Sequence, residues 1–425
     1  AITDILIERK YQYNNLDHLI STYHSKHGRT DYCYDVTGRI EGCRNQRYWD
    51  TLQYDAAANL LDHIRPIELH QHNQNIIRCN QLLNYKSHHY RYDEHGRTAS
   101  KQSSDGTQHY HYDAEHRLSA VHIEQLGYNQ RYGYVYDALG RRIEKHQIDH
   151  EGQPYNRTRF LWDGFRLLQE TSPIRHQSVY IYTDQHSYEA LARIDKRGSE
   201  EQEIRYFHTN LNGCPEELTD ADGKILWECS YQLWGKRIHE IEHIPIQQNL
   251  RYQGQYLDRE TGLHYNTFRY YDPDIGRFTQ PDPIGLLGGL NLYQYAPNGL
   301  TWIDPWGLTS VNAEGYHVYG LYEPGATATH YIGITNDVER RAGEHRNTGR
   351  LTSGRMEVIE ENVTYGQARG YEQYYIEEYK TRTGTIGEDI SSTNKGNKYN
   401  SFDHKRNDAR AKAFKKAYDS KKGIC

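Results

Sequence analysis

Short stretches that alternate aromatic or apolar with polar residues recur over the first 250 positions, as in His109-Tyr110-His111-Tyr112, and many end at Asp-x-x-Gly. A period of two sends successive side chains to opposite faces of a strand, and Asp-x-x-Gly supplies a turn, so the pattern predicts antiparallel hairpins. The hairpins repeat. Tyr34-Asp35-Val36-Thr37-Gly38-Arg39, Tyr92-Asp93-Glu94-His95-Gly96-Arg97 and Tyr136-Asp137-Ala138-Leu139-Gly140-Arg141 share Tyr-Asp-x-x-Gly-Arg, with degenerate copies at Tyr54-Asp55 and Tyr112-Asp113. A lone two-stranded unit is not stable in water. Stacked units are, and they predict a long, spiralling antiparallel sheet. After residue 308 the pattern changes to two strand-like runs, Val318-Tyr319-Gly320-Leu321-Tyr322 and Tyr331-Ile332-Gly333-Ile334-Thr335. Helical stretches follow: one capped by Asn336, one over Ala368 to Tyr379 whose Tyr371, Tyr375 and Tyr379 at four-residue spacing are expected in the core, and one from His404 to Lys422.

Composition sharpens this picture. Forty Tyr against seven Phe and a mean hydropathy of -1.00 describe a half-wet β surface, where Tyr buries its ring and keeps its hydroxyl hydrated. No apolar run is long enough to span a membrane. The first residues carry no signal-peptide pattern, so export is expected to use a larger machine or an upstream segment. The six Cys lack metal-ligand spacing. The net charge is -6, yet from Thr309 onward 18 Lys and Arg face 16 Asp and Glu, and Lys395 to Lys422 carries ten basic against three acidic residues. The last segment therefore holds a basic surface that the whole-chain value conceals.

Two Asp-Pro-x-Gly-Leu units, Asp282-Pro283-Ile284-Gly285-Leu286 and Asp304-Pro305-Trp306-Gly307-Leu308, join these halves. Each is a good turn sequence taken alone. Together they resemble the Rhs and YD-repeat core of bacterial polymorphic toxins, as does the run from Tyr252-Gln253-Gly254 to His264-Tyr265. The resemblance implies a hollow β shell that sequesters a C-terminal toxin, and autoproteolysis between Leu308 and Thr309. The chemistry asks for two neighbouring carboxyls, Asp282 and Asp304, one holding a proton while the other acts as base. The resemblance adds Arg269 as third participant, with Arg277 as the competing choice. A wall around a 117-residue globule needs roughly 6,000 Å², and 308 residues supply roughly 5,000 Å² before loops are deducted, so a fragment of a longer shell is expected.

The tail resembles the GIY-YIG nuclease family, with Gly320-Leu321-Tyr322 as first signature and Tyr331-Ile332-Gly333 as second. The resemblance implies catalytic roles for Tyr322, Tyr331, Arg341, Glu372 and Asn400, with Glu372 holding Mg²⁺ or Mn²⁺. Arg341 and His345 share a helix face at i,i+4. Ile334 stands where some repair members carry Lys, which leaves the general base open, with His345 a substitute. Arg340, Lys398, Lys405 and Arg406 are candidate phosphate contacts.

The expected organisation is a YD-repeat β shell over residues 1–250, an Rhs core and hinge over 251–308, and a small α/β GIY-YIG nuclease over 309–425. The expected function is an antibacterial toxin made in the bacterial cytoplasm and secreted by a contact-dependent (type VI-like) system through an upstream N-terminal region. It is released by its own aspartyl-type protease to cut DNA in the target-cell cytoplasm, and held in check by a cognate immunity protein. Two rivals are a YD-repeat adhesin with an inactive nuclease-like tail and a toxin directed at RNA.

Overall fold

The computed structural model describes residues 7–14, 18–35, 39–46, 48–55, 57–61, 76–184, 187–285, 291–296, 298–308, 316–335, 338–385, 388, 390–402 and 409–423. At 76–78, 340 and 409–412 only the backbone is described. The chain forms two compact units. One holds residues 53–285 and 290–308; the other holds 1–52, 286–289 and 309–425.

The first unit is built on a 15-stranded sheet from Asn84–Tyr85 to Arg237–Glu242, in which each strand pairs antiparallel with its neighbours in sequence. The repeat explains the stacking. The Asp93 carboxylate accepts the N–H groups of His95 and Arg97, closing the turn, and Asp113 and Asp137 do the same in theirs. The preceding Tyr sits at a register slip in its strand pair at positions 92, 112 and 136. A bulge turns the side chain and strengthens local twist. Each ring thereby reaches the previous hairpin: Tyr92, Tyr112 and Tyr136 donate to the carbonyls of Leu82, Thr98 and Leu118 at 2.9, 3.0 and 2.7 Å. Each Arg completes the chain of contacts in the other direction. Arg97 bonds Asp93 at 2.6 Å and lies over the Tyr112 ring at 4.6 Å, and Arg117 lies over Tyr136 at 5.2 Å. Tyr-Asp-x-x-Gly-Arg is thus a nearest-neighbour coupling device, which is how repeat arrays gain stability.

Against this sheet lies the segment from Leu250 to Phe278, whose four short strands, Tyr256–Leu257, His264–Asn266, Arg269–Asp272 and Arg277–Phe278, form an antiparallel sheet of entirely buried residues. Tyr265 and Tyr270 join Tyr110, Val121 and Tyr134 in one apolar cluster; Leu250 and Tyr256 join Phe160, Leu218 and Trp227 in another. Buried ions are paired across the same contact. Arg142 meets Asp258 at 2.5 Å, and Lys101 meets Asp272 and Asp274 at 2.9 and 2.6 Å. The expected single array over residues 1–250 is divided instead. Arg9–Tyr13 to Trp49–Thr51 make a separate five-stranded sheet, not continuous with the larger one, and residues 251–285 and 290–308 share a unit with that larger sheet.

In the second unit β1 (Tyr316–Tyr322) is central, flanked by β2 (Tyr331–Thr335) and β3 (Arg355–Val363), all antiparallel. Helix α1 (Val338–Asn347) connects β2 to β3, and α2 (Tyr365–Glu378) follows a capping box in which Thr364 and Gln367 satisfy each other's backbone N–H. Ala368 and Ile376 of α2 pack on Val318 and Ile332. Helix α3 (Ala409–Lys422) buries Phe414 and Ala417, and a Cβ on Gly370 would lie 2.5 Å from the Ala417 methyl, so only Gly lets α2 and α3 approach this closely. Asn336, the expected cap of α1, lies outside the described residues.

Candidate active sites

The hinge site is assembled by a two-residue turn. Asn266 and Arg269 pair across it, leaving Thr267 and Phe268 at its tip. Residues 266–269 grip the second Asp-Pro-x-Gly-Leu unit carbonyl by carbonyl. The Asn266 amide donates to Asp304 O at 2.9 Å, the Phe268 N–H to Trp306 O at 3.2 Å, and Arg269 Nε to Gly307 O. Gly307 has φ +68, and a Cβ there would press on Asn266 O at 2.5 Å. The Leu308 N–H donates to Asp304 Oδ1 at 2.9 Å.

Arg269 is completely buried. Its Nη2 donates to Asp282 Oδ2 at 3.0 Å and stands 3.9 Å from Asp304 Oδ2. Burial pulls the guanidinium below its ordinary range, and the two carboxylates oppose that pull. A cation between two acids lets both ionise, so the arrangement does not require the shared proton expected from sequence. Arg277 is not part of this group. It bonds Asn80 O at 2.7 Å and lies over the Tyr293 ring.

In the second unit β-strand parity decides which tyrosine faces which. Leu321 pairs with Tyr331 and Tyr319 with Gly333, so Tyr319 and Tyr331 share a face. A Cβ on Gly333 would collide with the Tyr319 ring, which accounts for that Gly. Tyr322, expected beside Tyr331, lies on the opposite face with its ring across Gly320 and Arg355 4.8 Å above it. Counting in twos along the strand, rather than matching Gly-Leu-Tyr, is the signal that selects Tyr319. His345, on α1, is buried and meets both tyrosines: Nε2 lies 2.7 Å from Tyr319 Oη, and its ring is 5.2 Å from that of Tyr331. Arg350 covers the Tyr331 ring at 4.5 Å. Burial, with Arg341 and Arg350 nearby, holds the His345 imidazole well below its ordinary pKa and therefore neutral at pH 7.

Arg341 Nη1 pairs with Glu344 at 2.8 Å, and its charge is felt at both His345 and Glu372. Glu372 is buried on α2. Its Oε2 accepts from Ser401 Oγ and from Arg369 at 3.2 Å, and among the described residues no hydrogen bond reaches its Oε1. Burial raises its pKa, opposed by Arg369 and Ser401. One carboxylate oxygen free of protein bonds fits Mg²⁺, which takes one or two carboxylates and keeps most of its waters.

Three other expected residues stand elsewhere. Asn400 is exposed, whereas Asn397, three positions earlier, is buried and clamps β2, accepting from Ile332 N at 2.9 Å and donating to Ile332 O at 2.7 Å. Lys398 is buried with its amine on Glu388 O at 2.6 Å, which removes it from a phosphate-facing surface. Tyr379, expected in the core with Tyr371 and Tyr375, is exposed. Lys405 and Arg406 lie outside the described residues, and only the backbone of Arg340 is described.

Comparison with known proteins agrees with the repeat. The chain is 38% identical over 331 residues to double-stranded DNA deaminase toxin A of Burkholderia cenocepacia, covering 72% of this chain and 23% of that protein. It is 29% identical over 311 residues to probable deoxyribonuclease RhsA of Dickeya dadantii, covering 71% and 21%. It is 29% identical over 361 residues to toxin protein Tse5 of Pseudomonas aeruginosa, covering 71% and 27%. The chain thus spans about a quarter of the length of these relatives. A solved TcdB2-TccC3-TEV structure is similar at 19% identity and TM-score 0.44, covering 71% of this chain and 18% of that one, too distant to carry an argument. Residues 7–299 match the family model described as Teneurin YD-shell, and the chain belongs to that family.

Proposed function

We propose that this chain is part of an Rhs-type bacterial toxin, in which the YD-shell unit cuts its own chain after Leu308 and residues 309–425 hydrolyse DNA. The observation that carries the nuclease reading is the Tyr319–His345–Tyr331 cluster flanked by Arg341 and Arg350. Relatives named as a DNA deaminase toxin and as a probable deoxyribonuclease support a nucleic-acid target.

Arg341, partly exposed, releases Glu344 to neutralise a phosphate's non-bridging oxygens through its planar fork. A neutral His345 cannot add charge, but its bond to Tyr319 fixes that phenol against Tyr331, and the two hydroxyls orient the attacking water. Glu372 would hold a Mg²⁺, which supplies Lewis-acid charge at the phosphate and a more acidic bound water. At the hinge, Arg269 keeps Asp282 and Asp304 together as carboxylates, and Asp304 holds the Leu308 amide. Secretion by a contact-dependent system and a cognate immunity protein complete the reading.

The test uses the full chain with plasmid DNA and total RNA side by side, with Mg²⁺, with Mn²⁺ and with a chelator. Divalent-dependent plasmid cleavage that disappears in Arg341→Ala is the expected result. A second reading, RNA as target, draws on similarity to the tRNA3(Ser)-specific nuclease WapA of Bacillus spizizenii, 26% identical over 74% of this chain and 12% of that protein. Digestion of RNA alone selects it.

A further inference from the structure

We propose that the Asn266–Thr267 turn positions the water that hydrolyses the Leu308–Thr309 bond, a role that rests on the autoproteolytic reading above. The turn is costly in two independent ways. Thr267 has φ +54, a left-handed backbone at a β-branched residue, in the first position of a two-residue hairpin turn where Gly is the normal choice. Its hydroxyl is also buried and meets no hydrogen-bond partner among the described residues, and neither does the Oδ1 of the adjacent, fully buried Asn266. Buried polar atoms are nearly always satisfied, and a bound water is the ordinary explanation where neighbouring residues each carry one without a partner. Strained backbone of this kind gathers at functional sites, and a fold with no use for the hydroxyl would place Gly here.

The location makes the assignment specific. Asn266 and Thr267 belong to the same four residues whose other groups hold the carbonyls of Asp304, Trp306 and Gly307, and the Asn266 amide already donates to Asp304 O at 2.9 Å. The two residues that carry the unpartnered oxygens therefore belong to the turn that lies along the segment ending at the cut. The Thr267 hydroxyl and Asn266 Oδ1 hold a water by two bonds. Its oxygen adds to the Leu308 carbonyl carbon while a carboxylate of the Asp282 and Asp304 pair takes its proton. The proton passes to the Thr309 nitrogen as the C–N bond breaks, leaving a Leu308 carboxylate and a Thr309 amine. Nothing is oxidised or reduced, and water is the only co-reactant.

The experiment follows cleavage of the full chain during cell-free synthesis, by mass and by gel, for wild type, Thr267→Gly, Thr267→Ser and Asp304→Asn. Thr267→Gly suits the backbone and removes the side chain, hydroxyl included, whereas Thr267→Ser keeps the hydroxyl and drops only the methyl. The melting temperature of Thr267→Gly should match or exceed that of wild type, while cleavage slows about 10- to 100-fold, the cost of a misplaced reactant. Thr267→Ser should stay within about threefold of wild type, since it keeps the hydroxyl that orients the water. Wild-type cleavage rate in Thr267→Gly overturns the proposal, and so does a hydroxylamine-trapped ester at Thr267, which would make the side chain the nucleophile. Absence of any cut after Leu308 in wild type, or full cleavage in Asp304→Asn, overturns the autoproteolytic reading itself.

Discussion

Tyr319 Oη and His345 Nε2 lie 2.7 Å apart in the interior of the smaller α/β fold, while Tyr322, three residues along the same strand, faces away. The pair predicts which tyrosine matters. Tyr319→Phe should lower plasmid cleavage by about 10²- to 10⁴-fold, the range for a positioned acid–base group, with the fold intact. Tyr322→Phe should retain activity within a few-fold. Equal losses in the two variants would show that strand parity does not govern the site.

A buried, neutral His345 sets a pH dependence. Its folded pKa is depressed, so the stability it contributes is fully present above about pH 6.5, its unfolded value, and is lost as pH falls below that. Thermal melts between pH 7.5 and 5 should therefore fall less steeply in His345→Gln than in wild type. Parallel melting curves would count against a depressed pKa.

Glu372 titrates in the opposite sense. Burial raises its pKa, so a proton competes with a divalent cation further up the pH scale than at an ordinary carboxylate. Mg²⁺ should raise the melting temperature more at pH 7.5 than at pH 5.5, and Glu372→Gln should remove the effect at both. An unaltered Mg²⁺ response in that variant would move the metal elsewhere.

The hinge depends on charge more than on shape. Arg269→Met leaves Asp282 and Asp304 buried without their cation, so it should abolish cleavage and cost about 3–5 kcal/mol in the YD-shell unit. Arg277→Met, remote from the pair, should still cut. Denaturant melts alongside a cleavage gel separate the two effects.

Coupling between repeats is measurable in the sheet. Tyr136 donates to Leu118 O at 2.7 Å and meets the Tyr270 hydroxyl at 3.1 Å, with Arg117 over its ring. Tyr136→Phe should cost about 1–3 kcal/mol, because the Leu118 carbonyl loses its donor and the Tyr270 hydroxyl loses its acceptor. Arg117→Ala should cost about 0.5–1 kcal/mol, the cation–π contact being partly exposed. A double mutant whose cost equals the sum of the two would mean that the Arg and the ring act independently.

The sequence by itself determined the hairpins of the array, the place of the two Asp-Pro-x-Gly-Leu units and the strands and helices of the tail, and it offered Asp282, Asp304 and either Arg269 or Arg277 as a group. These are local properties: a period of two, Asp-x-x-Gly turns, a doubled motif and a capped helix each act over a few residues. Tertiary structure decided what depends on which side chains meet. It put Tyr319 rather than Tyr322 on the face of Tyr331 through strand pairing, Arg269 rather than Arg277 beside Asp282 and Asp304, Asn397 rather than Asn400 in a backbone clamp on Ile332, and buried Lys398. It also kept the strands Arg9–Tyr13 to Trp49–Thr51 out of the 15-stranded sheet, and left Thr267 in a left-handed turn with its hydroxyl unpartnered among the described residues. Register, burial and hydrogen-bond satisfaction are set by contacts between residues distant in the chain, and a one-residue slip in pairing reverses every face.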